Sequence, residues 1–151
     1  MLDLHCHILP EMDDGARSIG EALSMAAMAV KEEIDAVVAT PHCLDARNID
    51  AFVQGVKRQG QQLQSVLDAR KMDLDIFLGA ELFMDPAFLK VGGLERLTIN
   101  STPYILLELP MGEVPLYAED FIYRLRLMGF VPIIAHPERN LAIMRDPNIL
   151  Y

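Results

Sequence analysis

The first seventeen residues, Met1-Leu-Asp-Leu-His-Cys-His-Ile-Leu-Pro-Glu-Met-Asp-Asp-Gly-Ala-Arg17, decide how the chain is read. Leu2 to Leu4 reads as a short buried strand that starts almost at the first residue. His5 and His7 stand at its C-terminal end, two apart. Side chains alternate along an extended chain, so both imidazoles leave one face and can converge on one ion. Pro10 and Gly15 mark a loop that brings Asp13 and Asp14 back toward the same point. Nitrogen donors followed by carboxylates suit a divalent metal such as zinc, manganese or iron. The ordinary alternative is a pair of surface or core-edge histidines without a ligand, and the other two histidines decide between them.

Outward from that stretch, strand and helix alternate. Ser18-Ile-Gly-Glu21 resembles a capping box, and the apolar run Ala22 to Val30 predicts a buried helix. Asp35 to Thr40 is a β-branched run stopped by Pro41, a second strand. From Asp50 to Lys71 the spacing of Phe52, Val53, Val56, Leu63, Val66 and Leu67 is helical. Asp73 to Ala80 predicts a third strand, Tyr104 to Leu109 a fourth and Val131 to Ala135 a fifth. A helix over Tyr117 to Leu127 closes at Gly129. This alternation implies an α/β fold with about five parallel strands covered by helices. Side chains that do chemistry then gather at the C-terminal ends of the strands. The four histidines obey that rule: His5 and His7 follow strand one, His42 strand two and His136 strand five. Glu81 follows strand three, and Glu108 sits in the last turn of strand four.

Composition narrows the function. The 151 residues suffice for one ordinary domain, and 52% hydrophobic content excludes a disordered chain. Mean hydropathy is +0.21. The longest nearly apolar run, Ala22 to Val30, is too short to span a bilayer, and no signal peptide is visible, so the expected location is the cytoplasm. A net charge of −9 argues against nucleic acid as a partner. Cys6 and Cys43 do not make a disulfide framework.

Taken singly, each polar residue has an ordinary explanation. His42 could belong to a Thr-Pro-His turn, Glu81 could cap a helix suggested by Asp85 to Leu89, and His136 could be a satisfied core histidine. Glu108, flanked by Leu106, Leu107 and Leu109, is the most informative. A carboxylate in so apolar a strand needs an ion or a cationic partner, with Arg124, Arg126 and Arg139 the available arginines. Together His5, His7, Asp14, His42, Glu81, Glu108 and His136 read as a mixed nitrogen and oxygen metal cluster. A cysteine-dependent phosphatase loop is excluded, because the positions six after Cys43 and Cys6 hold Ile49 and Met12 instead of arginine.

The ordered motifs D-L-H-C-H-I-L-P-x-x-D-D-G, A-T-P-H, G-A-E, L-L-E-L-P and I-I-A-H-P-E-R-N cover the whole chain and are specific as a set. They resemble the PHP (polymerase and histidinol phosphatase) superfamily. Within it, they are most similar to the manganese-dependent bacterial protein-tyrosine phosphatases encoded with capsule and exopolysaccharide genes. The resemblance implies a distorted (β/α)7 barrel with three divalent ions, manganese foremost and zinc, iron or magnesium as alternatives. It places His5, His7 and Glu81 on the first ion, and Glu81, Glu108 and His136 on the second. Asp14 with His42 takes the third, Asp13 being the substitute for Asp14, and Arg139 falls to the phosphate. A phosphotyrosine protein, such as a bacterial tyrosine kinase, is the implied substrate, and a homo-oligomer is compatible.

One departure matters. The family closes its site with a late Asp-x-His pair, and this chain reaches Tyr151 before any such pair. Five strands stand where the barrel needs seven, and Asp146 to Leu150 reads as a helix just beginning. Residues 1–151 are therefore expected to be one incomplete PHP-type metallophosphatase domain with its last strands missing and one sheet flank open. The expected reaction is phosphate monoester hydrolysis by metal-activated hydroxide. No general acid is evident, although a tyrosyl leaving group, with a phenol pKa of roughly 10, needs little protonation. The rivals are another phosphoesterase of the superfamily, such as a histidinol phosphatase, and a catalytically inert metal-binding fragment.

Overall fold

The structure is a computed structural model and describes residues 1–150. The strands are β1 (Leu2–Cys6), β2 (Ala36–Ala39), β3 (His42–Cys43), β4 (Asp75–Leu78), β5 (Glu81–Phe83), β6 (Tyr104–Glu108) and β7 (Val131–Ile134). The helices are α1 (Ile19–Lys31), α2 (Ile49–Ala69), α3 (Ala118–Leu127) and the short α4 (Leu141–Arg145). Every strand pairing is parallel, in the orders β1-β2-β4 and β3-β5-β6-β7. The fold is thus α/β with parallel sheets.

Seven short strands replace the five expected, and the reason is local. Pro41, which lacks an N–H, separates β2 from β3, and Gly79-Ala80 separates β4 from β5. Hydrogen bonds cross both breaks: Thr40 N–H donates to the Cys6 carbonyl at 2.9 Å, Gly79 N–H to Ala39 at 2.9 Å and Glu81 N–H to Pro41 at 3.0 Å. Five strand paths therefore still run side by side.

The first strand continues past Leu4 to Cys6, so His5 lies within it. Leu2 pairs with Ala36, Asp3 with Val37 and Cys6 with Ala39, so two residues of β1 (Leu4 and His5) stand opposite Val38 alone. Such a bulge re-aims side chains, and it lets Leu2 and Leu4 line one hollow while His5 turns to the polar end of the same strand.

Ser18 caps α1, its hydroxyl accepting from Glu21 N–H at 3.2 Å. The buried helix expected there is buried on one face only: Ala22, Leu23 and Ala26 pack inward while Met28 and Val30 face out. Helix α2 buries Val53, Val56, Gly60, Leu63 and Leu67, a period of three to four residues. Gly60 allows the approach to β4, since a Cβ there would meet Leu78 Cδ2 at 2.5 Å. Asp85 to Leu89 and Asp146 to Leu150 form 3-10 turns (Pro86–Lys90 and Pro147–Leu150) where the sequence suggested helices. One apolar cluster, with Leu82, Phe88, Ile105 and Phe121, lies under β5 and β6, and a second, with Ile8, Leu63, Leu67 and Leu74, under α1 and α2. Among the described residues no helix is long and apolar enough to cross a membrane.

Candidate metal centre

The strand ends converge on Glu81, the first residue of β5, which has no exposed surface. Its Oε1 lies 3.3 Å from His5 Nε2 and 2.7 Å from His136 Nε2, and its Oε2 3.2 Å from His7 Nε2 and 3.1 Å from His42 Nδ1. Four imidazoles from four loops and strands thus face one carboxylate. The ring centroids of His5 and His7 are 5.0 Å apart, those of His7 and His42 4.6 Å and those of His5 and His136 5.5 Å.

Glu108, at the end of β6, faces His42 Nδ1 at 3.3 Å. Among the described residues none of the three arginines considered from sequence pairs with Glu108: its ion pair is with His42, and Arg124 is paired with Asp120 at 2.8 Å. Asp14 approaches His42 Nε2 at 3.4 Å from an exposed position. Arg139, in the 3-10 turn Pro137–Arg139, lines the same cleft of about 220 Å³. The arginines in ion pairs among the described residues are Arg17, Arg47, Arg96 and Arg124. His136 begins that turn with φ of 26°, a left-handed value uncommon outside glycine and often found at functional sites.

Supporting residues fix the imidazoles. His7 Nδ1–H donates to Asp13 Oδ2 at 2.7 Å, which leaves Nε2 to face Glu81. Asp13 also accepts from the backbone N–H of Gly15 and of His42, both at 2.9 Å. His5 Nδ1 and Thr40 Oγ1 are 2.7 Å apart. Gly15 is required because its loop folds back on His7, where a Cβ would sit 2.1 Å from the His7 carbonyl oxygen. The sequence brings Asp13 and Asp14 alike toward the ion and makes Asp13 the substitute ligand for Asp14, not a support for His7, and it gives Thr40 no role. The Asp-Asp-Gly turn carried a signal for Asp13; Thr40 carried none beyond its place before Pro41-His42.

The electrostatics follow from this crowding. Burial alone would push the Glu81 carboxyl up, but the close approach of the His5 and His7 imidazoles, with the charge of His5 and His42, holds it well below the usual carboxylate range. His7 is pulled down by burial, yet Asp13 and Glu81 outweigh that and push it up to about 10. Burial raises Cys6 to about 11, with Asp3 and Asp13 adding, and Cys43 to about 12, with Asp45 adding.

Both carboxylate oxygens of Glu81 and Nδ1 of His42 are buried without a hydrogen-bond partner. Groups in that condition are costly unless a cation shares them. Three sets of ligand atoms, His5-His7-Glu81, His7-Asp14-His42 and His42-Glu81-Glu108, each lie within 4.8 Å of one another. Imidazole nitrogens mixed with carboxylate oxygens fit divalent first-row cations. The grouping differs from the expected one at two points: His42 stands beside Glu81 and Glu108 where His136 was placed, and His7 joins Asp14 and His42; His136 has its ion pair with Glu81.

The model of a family described as capsular polysaccharide synthesis, CpsB/CapC, matches residues 1–150. The tyrosine-protein phosphatase YwqE of Bacillus subtilis is 39% identical over 154 residues, an alignment covering 100% of this chain and 59% of YwqE. CapC of Staphylococcus aureus is 36% identical over 152 residues, with the same shares. A solved structure from work on YwqE of Bacillus subtilis and CpsB of Streptococcus pneumoniae, described there as unique metal-dependent tyrosine phosphatases, superposes with a TM-score of 0.85. It is 38% identical, and the match covers 100% of this chain and 61% of that one. The chain spans about 59% of the length of these curated relatives.

Proposed function

The chain belongs to the CpsB/CapC family of capsular polysaccharide synthesis, and from that footing we propose that it forms the N-terminal part of a metal-dependent protein-tyrosine phosphatase. The observation that carries this reading is the buried Glu81 carboxylate, faced by four imidazoles and lacking a hydrogen-bond donor on either oxygen. We propose further that residues 1–151 are an incomplete PHP-type domain, five strand paths of a distorted (β/α)7 barrel. The flank exposing Leu2 and Leu4 on β1 and Val131 on β7 supports that view, as does the 59% share of its relatives' length.

In this reading His5, His7, Asp14, His42, Glu81, Glu108 and His136 hold up to three divalent ions, manganese by preference because three carboxylates stand beside the imidazoles. Bound divalent cations supply Lewis acidity and a hydroxide nucleophile near neutral pH. The remaining chemistry is that of the chain's own groups. Asp13 keeps the His7 proton on Nδ1, and Thr40 anchors His5 through Nδ1, so each ring offers Nε2 to the centre. The guanidinium of Arg139 grips two non-bridging phosphate oxygens with its planar fork and neutralises charge that grows on them. A tyrosyl oxygen leaves without help from a strong acid, its conjugate pKa being roughly 10. The substrate proposed is phosphotyrosine on a protein, a bacterial tyrosine kinase being the natural candidate, in the cytoplasm.

Hydrolysis of a phosphotyrosyl peptide, histidinol phosphate and an oligonucleotide by the full-length protein, with and without manganese, tests the reading. Metal-dependent turnover of the phosphotyrosyl peptide is expected. Preference for histidinol phosphate, or tight metal binding with no turnover at all, contradicts it.

A further inference from the structure

The cleft has a lopsided lining. Among the described residues that border it, Met111 alone brings an apolar side chain; apart from Gly15, its companions are ionisable. Met111 follows β6 by three residues and is 62% exposed, so its thioether is not part of the core. Its backbone is nevertheless anchored. Leu141 N–H donates to the Met111 carbonyl at 2.8 Å. Asn140, only 3% exposed, donates through Nδ2 to the Pro110 carbonyl at 2.7 Å and the Glu113 carbonyl at 2.9 Å. Its Oδ1 accepts from the N–H of Ala142 at 2.9 Å and of Ile143 at 3.1 Å. Every donor and acceptor of that amide is used. Asn140 thereby bolts the loop bearing Met111 to the turn bearing Arg139, its own neighbour in the chain. An exposed apolar side chain on a fixed backbone, beside the arginine of the cleft, is arranged to meet something from solvent.

We propose that Met111 is the specificity-determining residue of this cleft, the wall on which the aromatic ring of an aryl phosphate ester lies. The inference rests on the phosphoesterase reading above. In a bound ester the phosphate is drawn to the ionisable floor and to Arg139, so the organic group leaves along the remaining wall. A polarizable thioether makes favourable contact with a ring edge and adapts its shape to it. The alkyl side of a phosphoserine offers less area and no ring. Met111 therefore selects aryl over alkyl esters through binding, while the chemistry at the floor is common to both.

The test uses the full-length, metal-loaded protein with Met111→Ala, Met111→Gln and Met111→Leu. Two readouts are compared: kcat and KM on phosphotyrosyl and phosphoseryl peptides of one sequence, and the Kd of phenylphosphonate and methylphosphonate by calorimetry. Met111→Ala and Met111→Gln are expected to raise the phosphotyrosyl KM and the phenylphosphonate Kd by about two- to tenfold. The kcat changes less than KM, and methylphosphonate binding and metal content stay as in the wild type. Met111→Leu, similar in volume and apolarity, recovers most of the loss. An aryl-to-alkyl preference unchanged in the Ala and Gln variants overturns the inference and leaves the phosphatase reading standing. A wild-type protein that hydrolyses no phosphate ester and binds neither phosphonate overturns both.

Discussion

The two ends of the same strands are built from opposite chemistry. Toward their N-terminal ends, Leu2, Leu4, Val38, Phe77, Tyr104 and Ile133 line an apolar hollow. A few residues on, the same paths present His5, His42, Glu81, Glu108 and His136. Alternation accounts for three of the five paths, since Val38 and His42, Phe77 and Glu81, and Tyr104 and Glu108 are each an even number of residues apart. The first and fifth paths break the rule: Ile133 and His136 are three apart, and Leu4 and His5 are adjacent, where the bulge between Asp3 and Cys6 reconciles them. Parallel strand paths can thus carry a hydrophobic half and a half of ionisable side chains, provided the buried carboxylate of the second half is compensated.

The sharpest way to break this contrast is Glu81→Gln, which removes charge from the polar end alone. Phosphotyrosyl turnover should fall by more than the roughly 10–100-fold that loss of an orienting partner costs, measured with metal content alongside. Turnover within a few-fold of wild type would take Glu81 out of the centre. Asp13→Ala should lower metal affinity by about 10–100-fold, because His7 loses the acceptor that fixes its tautomer. Titration of metal into the two proteins reads that ratio directly.

At the apolar end the expected effect is on stability. If further strands cover the hollow in the full-length protein, Leu4→Ser should cost about 1–3 kcal/mol by denaturant unfolding and leave metal content unchanged. No loss would mean that Leu4 stays in water, and the barrel proposal would fail. Asn140→Ala should cost a similar amount, about 1–3 kcal/mol, by stranding buried backbone groups. The smallest effect is expected at the cysteines. Both thiols are pushed up, to about 11 and about 12, so at pH 8 they are protonated and slow to alkylate. Iodoacetamide should leave phosphatase activity intact, and rapid inactivation would revive a thiolate mechanism.

Much of the contrast was legible in sequence, because it rests on short-range rules. Periodicity located all five strand paths and three helices, and the crowding of histidines at strand ends singled out the residues that meet around Glu81. Other features depend on contacts distant in the chain. The bulge in β1 exists only through its register with β2, the service of Thr40 to His5 spans thirty-five positions, and Asn140 works by tying together two loops. Helix α4 is five residues long, too short for periodicity to register. The breaks at Pro41 and Gly79 read as strand ends, whereas pairing resumes beyond both.

The most direct measurement is an anomalous difference map from a crystal of the full-length protein grown with manganese. Peaks ligated by His5, His7, Asp14, His42, Glu81, Glu108 and His136, with Glu81 shared between ions, are what this account predicts. A protein that hydrolyses phosphotyrosine yet shows no peak in this cleft, its imidazoles bonded only to the Glu81 carboxylate, would contradict it.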